Sequence, residues 1–172
     1  VSTAFNRLGK MAKWQDFSPR RLTADDGFQA LLRLTRDFAE NGQFMAQSAA
    51  NTTHGIAKLH EAGRLGGLDG SVDDALAALE LAAVRLAPEM KPQELANTVY
   101  AYSVLGRMPG EETWAALEAA AGRVARGLKP QELANLVWGY AKLGRMPGDK
   151  TWTALDAAAG RVAMRSLLPM WV

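Results

Sequence analysis

Residues 91–128 and 129–166 are two copies of one 38-residue pattern, identical at 26 positions. A tandem period of this length restricts the chain to architectures in which like units stack, because one short unit cannot bury its own apolar face. The grammar inside the unit selects helices. Each copy opens on Lys-Pro-Gln-Glu, and Pro92 and Pro130 suit the first turn of a helix, where a missing N–H costs nothing. Leu95, Val99 and Tyr102 follow at helical spacing, Gly106 stops the helix and Pro109 blocks its continuation. A second helix begins near Glu111, where acidic residues favour the positive helix end. It carries Trp114, Leu117, Ala121 and Val124 on one stripe before Gly127 closes it. Each unit is therefore expected to be a helix–turn–helix hairpin.

The pattern runs backwards through the chain. Leu76, Leu79, Ala83 and Leu86 precede Trp114, Leu117, Ala121 and Val124 by 38 residues, and "AQSAANTTHGIAKL" (46–59) matches the first helix at an offset of 46. The eight extra residues fall in the glycine-rich connection "HEAGRLGGLDGSV" (60–72). The expected organisation is a basic arm or cap over 1–24, a degenerate second helix over 25–44 with Phe28 and Leu31 as anchors, and three units over 45–90, 91–128 and 129–166. Residues 167–172 read as the stub of a further helix, with Pro169 one place out of register. The fold class expected is an all-α superhelical solenoid of αα-hairpins; a compact non-solenoid helical bundle is the alternative.

Composition narrows the partners. The 172 residues carry a net charge of only +2, so any nucleic-acid binding must come from local charge or from neighbouring subunits. There is no cysteine, which excludes disulfide staples and thiolate metal sites. The most apolar stretch, "ALAALELAAV" (75–84), is interrupted by Glu80, so no membrane span is expected. Local charge is concentrated at the start, where Arg7, Lys10, Lys13, Arg20 and Arg21 face Asp16 alone, with Trp14 and Phe17 between them. Basic residues mixed with aromatics suit RNA backbones and unstacked bases. The same composition fits a transit-peptide tail or a segment capping the first helix.

Five of the twelve differences between the copies fall at 98–104, in the middle of the first helix. On a helical wheel Leu95, Val99 and Tyr102 define the buried side and Gln93, Asn97, Tyr100, Ala101 and Val104 the opposite one. The next unit places Gln131, Asn135, Trp138, Gly139 and Lys142 there; the earlier one places Gln47, Asn51, His54, Gly55 and Lys58. Gln and Asn stay fixed, a flat ring varies, a small residue follows, and Lys closes two of the three stripes. Amides offer a donor and an acceptor to base edges, rings stack on unpaired bases, small residues admit a close backbone, and Lys meets phosphate. The competing reading is packing between units, with the Asn residues forming an internal hydrogen-bonded ladder.

Arg85, Arg123 and Arg161 recur late in the second helix, and Arg107 and Arg145 recur after the first. Both sets suit helix C-terminal capping or phosphate contact. His54 and His60 lack spaced ligand partners, and no nucleophile–base pair, phosphate-cradling glycine loop or metal-ligand cluster is present in the sequence. The acidic pairs Asp25-Asp26, Asp73-Asp74 and Glu111-Glu112 each precede a second helix, as helix electrostatics favours. A non-enzyme with no cofactor and no metal is expected.

The pattern "KPQELANxxWxYAKLGRMP…W.AL" resembles the octotricopeptide repeat, a 38-residue helical-hairpin repeat, over about residues 26–166 and most closely in the last two units. Similar repeats abound in organellar proteins of green algae. The resemblance implies binding to single-stranded or ribosomal RNA, alongside other proteins of a ribonucleoprotein assembly, in a mitochondrion or chloroplast. Family members act in transcript maturation, stability and translation, or as structural parts of organellar ribosomes. The short array and low charge favour a ribosomal subunit that holds ribosomal RNA. An mRNA maturation, stability or translation factor and a protein–protein adaptor are the alternatives, the last because stacked hairpins also present grooves to partner helices.

Overall fold

Each copy of the repeat folds as its punctuation directs. In the computed structural model, which describes residues 1–12, 22–66, 68 and 70–167, Pro92–Leu105 and Pro130–Leu143 are helices opened by one device. The backbone N–H of Lys91 donates to the Glu94 carboxylate at 2.9 Å, and that of Lys129 donates to Glu132 at 2.8 Å. These bonds satisfy a donor that a bare helix start leaves orphaned. Both helices end on a left-handed glycine, Gly106 at φ 63° and Gly144 at φ 67°, a conformation costly for residues with a Cβ.

The α-helices are α1 (Ser2–Met11), α2 (Asp26–Glu40), α3 (Ala46–Glu61), α4 (Gly70–Leu86), α5 (Pro92–Leu105), α6 (Glu111–Val124), α7 (Pro130–Leu143) and α8 (Asp149–Leu167). No strand occurs among the described residues, and the fold is all-α. Odd-numbered helices pack side by side, α1 on α3, α3 on α5 and α5 on α7, and even-numbered helices do the same from α2 to α8. Apolar side chains fill the space between the two rows. Tyr102, Leu95, Trp114, Leu117, Leu136 and Tyr140 are all buried there. The Trp114 ring meets Tyr140 edge-on at 5.3 Å, and the Arg145 guanidinium lies 4.8 Å from the Trp114 ring centre.

The start of the chain adds a helix to the odd row. Residues 2–11, within the stretch read as an arm or cap, form α1, which buries Phe5 and Gly9 against α3. The stretch lacks the Lys-Pro-Gln-Glu opening, so periodicity across the units does not reveal it. Lys13, Trp14, Phe17, Arg20 and Arg21 lie outside the described residues, as do 168–172 of the expected stub. In α2, Phe28 is buried as expected, but Leu32 is the second anchor and Leu31 is only partly buried, a one-residue rotation of the stripe.

The recurrent arginines and acids join one unit to the next. Arg85 donates to the Ala39 carbonyl (2.6 Å), Arg123 to Ala87 and Met90 (3.0 and 2.8 Å) and Arg161 to Ala125 (3.3 Å). Each guanidinium thus satisfies carbonyls at the end of the preceding even helix or in the turn that follows it. Arg107 pairs with Asp73 and, at 3.2 Å, with Glu80; Arg145 grips both oxygens of Glu111 at 2.6 and 2.5 Å. Glu80 also accepts from the Gly110 N–H (2.7 Å) and Glu118 from the Gly148 N–H (2.8 Å). The start of each following even helix is thereby held by the one before it. These protein contacts engage all five recurring arginines.

Candidate nucleic-acid interface

The small residues of the stripe have a structural duty that the wheel did not expose. A Cβ at Gly55 would stand 2.8 Å from the Phe5 backbone, and one at Gly139 would stand 2.8 Å from Val99 Cγ1 and 3.3 Å from its carbonyl oxygen. Ala101, at the same place in α5, is fully buried. These positions admit the neighbouring odd helix, not an RNA backbone, and Val104 is half-buried against the core. A helix inside a row has neighbours on two flanks as well as beneath, so a single buried face underestimates its burial.

What remains open is a rim along α3, α5 and α7. Gln47, Gln93 and Gln131 are exposed, and Asn51, Asn97 and Asn135 lie half-buried one turn further on. Gln131 donates to the Asn135 side-chain oxygen at 2.9 Å, within α7. The side chains of Asn51 and Asn97 have no hydrogen-bond partner among the described residues, and no hydrogen bond joins the three Asn residues across units. The ladder reading of the Asn positions is therefore unsupported. A cleft of about 300 Å³ gathers Gln47, Gln93, Lys91 and Lys129, together with Glu94 and Glu132, at the N-terminal ends of the odd helices. Lys91 and Lys129 are missing from the sequence-based candidates because they read only as part of the helix-opening signal. Their recurrence one place before each Pro was the available clue.

The rings form a row of their own. His54 and Tyr100 have centroids 5.7 Å apart at 51°, and Tyr100 and Trp138 stack at 5.1 Å and 29°. Lys142 Nζ lies 4.8 Å from the Trp138 ring centre, a cation–π contact. Rings stacked on one another offer edges and not free faces, so inter-unit packing accounts for much of their arrangement. Trp138 is 43% exposed. Beyond Tyr100 a cleft of about 600 Å³ is lined by Lys10, Lys58 and Glu61 with the Tyr100 ring. Burial and the Glu61 carboxylate raise the Tyr100 hydroxyl above its ordinary value, so it stays a neutral donor. Arg7 is exposed on α1.

His54 is pushed down from 6.5 to about 4, first by burial and then by the Lys58 ammonium, and its Nδ1 is buried without a partner among the described residues. Because the folded value lies below the unfolded one, the unfolded chain takes up the proton first as pH falls. Stability is full above pH 6.5 and declines as pH approaches 4. Thermal melts should give a lower midpoint near pH 5 than near pH 7.5, before most carboxylates titrate. His54→Gln should remove most of that difference; an equal difference in the variant would place the effect elsewhere.

Taken together, the molecule is an all-α protein of paired helices whose odd row carries an amide, ring and lysine rim. The chain belongs to the family described as Tbc2 translation factor, N-terminal domain, whose model matches residues 14–168. No curated protein and no solved structure matches it. No helix among the described residues is long and apolar enough to cross a membrane.

Proposed function

We propose that the chain is a non-enzymatic, RNA-binding helical-repeat module of the octotricopeptide kind, a superhelical solenoid that acts in organellar translation. The RNA is single-stranded and lies along the odd row, with amides of Gln47, Asn51, Gln93, Asn97, Gln131 and Asn135 against base edges and Lys58, Lys91, Lys129 and Lys142 against phosphates. The observation that carries this reading is the set of unpartnered or exposed amides repeated along one rim, beside lysines that form no ion pair among the described residues, while the recurring arginines are engaged in protein contacts.

The family description, a translation factor, supports action on a messenger transcript over the ribosomal-subunit role that length and charge favoured. The adaptor reading keeps the same fold but uses an apolar groove. Salt separates the two. Binding of a short single-stranded RNA should weaken log-linearly with salt, with a slope near −3 for about four neutralised phosphates at about −0.7 each. Binding that does not respond to salt, or no binding at low salt, would overturn the RNA reading.

A further inference from the structure

The cleft beyond Tyr100 lies where the first unit departs from the repeat. At the offset of 46, Glu61 stands in the place of Arg107 and, one unit later, of Arg145. Those arginines reach back to acids of the protein. The Glu61 carboxylate has no ion pair or hydrogen bond among the described residues. Helix α3 continues through His60 and Glu61, whereas α5 and α7 have already stopped at Gly106 and Gly144. The end of α3 is firmly held. The Ala62 N–H donates to the Lys58 carbonyl at 3.1 Å and the Arg64 N–H to that of Leu59 at 2.8 Å. Arg64 Nε donates to the Ala12 carbonyl at 2.6 Å, which fastens the end of α1 to this turn.

Two lysines share the cleft with that acid. Gly9 lets α1 close on α3, since a Cβ there would stand 3.3 Å from Lys58 Cβ. Lys10 and Lys58 thus enter one space of about 600 Å³ from adjoining helices. Neither forms an ion pair with Glu61 or with another acid among the described residues. Tyr100 adds a hydroxyl that burial, and then Glu61, keeps protonated. Opposite charges that line one cleft without meeting suit a ligand that carries both an anion and hydrogen-bond donors. The volume falls within the roughly 300–1,000 Å³ of small-ligand sites.

We propose that this cleft binds a guanine nucleotide. Its phosphate lies between Lys10 and Lys58. The Glu61 carboxylate accepts the N1–H and N2–H of the base in two parallel charge-assisted bonds, and the Tyr100 hydroxyl donates to O6 beside them. No other base has two adjacent donors on that edge. Adenine and cytosine set one amino group beside a ring acceptor, and uracil sets one N–H between two carbonyls. Each would bring an acceptor against the carboxylate. The nucleotide is either a guanosine of the RNA along the odd row, a source that rests on the reading above, or a free one. The chemistry of the cleft is the same for both.

The test titrates the full chain with GMP, AMP, CMP and UMP, followed by calorimetry and amide chemical shifts. In parallel it uses an oligouridine and the same oligouridine carrying one guanosine. GMP should bind at least about tenfold more tightly than the other three, with shifts centred on Gly9, Glu61 and Ala62. Glu61→Gln should abolish that preference and let AMP bind at least as well as GMP, because an amide offers one donor and one acceptor, the complement of adenine. Its melting midpoint should hold, since Glu61 is exposed. Its affinity for the plain oligouridine should change by no more than about twofold, because no cation is removed. A guanosine that raises oligonucleotide affinity through Glu61 makes RNA the source; GMP recognition without that gain makes the free nucleotide the ligand. No preference for guanine in either arm, or a preference that survives Glu61→Gln, would overturn the proposal. Intact oligouridine binding would then leave the RNA reading standing. GMP recognition with no binding of either oligonucleotide would do the reverse.

Discussion

Replacing Trp114 by Ala is expected to cost about 3–5 kcal/mol of folding free energy, the range for a large aromatic removed from a packed interior. The same substitution at Trp152, the equivalent residue one unit later, is expected to cost less than half as much. Both residues hold the same place in the same pattern, so their intrinsic helix preferences cancel. Their surroundings differ. The Trp114 ring is 3% exposed, lies edge-on to Tyr140 and lies beneath the Arg145 guanidinium. Removing it also loosens Tyr140, whose buried hydroxyl has no hydrogen-bond partner among the described residues and whose position therefore depends on packing. Trp152 is 41% exposed and leaves a smaller void. Urea unfolding of the two variants measures both costs. Equal costs would mean that α6 and α8 are packed alike and that the exposed end is not a distinct environment.

Much of this arrangement was legible in the sequence because one unit was written twice. Pro92 and Gly106 bracket α5 and their copies bracket α7; the recurrence of Arg123 and Arg161 reported a contact repeated between units. The resemblance to a helical-hairpin repeat pointed to organellar roles that include translation; the family that matches is described as a translation factor's N-terminal domain and not as that repeat, so the agreement is in the broad role. Three features were not legible. The partner of a recurring arginine lies in the preceding unit, 33–36 residues away for Arg123 and Arg161, and spacing within a unit cannot reveal it. Gly55 and Gly139 read as concessions to a ligand because a wheel knows one neighbour, whereas a helix in a row has several. Helix α1 carries none of the repeat's punctuation; its place against α3 rests on Phe5 meeting Gly55, a pairing between unlike segments. The stripe of rings was visible, but its mutual stacking required the real distance between adjacent helices.

The amide rim is where packing and recognition make opposite forecasts. Asn97 has no hydrogen-bond partner among the described residues, and Asn135 accepts only from Gln131 of its own helix. Changing both to Ala therefore removes no bond between units, and Ala favours helix interiors over Asn by a few tenths of a kcal/mol each. Thermal stability should hold or rise slightly. If these amides pair with base edges, each lost contact should cost about 1–3 kcal/mol of RNA affinity. For the double variant the dissociation constant should rise at least about thirtyfold, since 1.4 kcal/mol corresponds to about a factor of ten. The salt slope should stay unchanged, because no cation is removed. The decisive measurement is a fluorescence-anisotropy titration of Asn97→Ala/Asn135→Ala with a single-stranded RNA selected on the unaltered chain, paired with a thermal melt of the same sample. An RNA-reading rim should show a large loss of affinity at constant salt slope and a melting midpoint that holds or rises slightly. Intact affinity accompanied by a falling midpoint would contradict it and make the rim a packing surface.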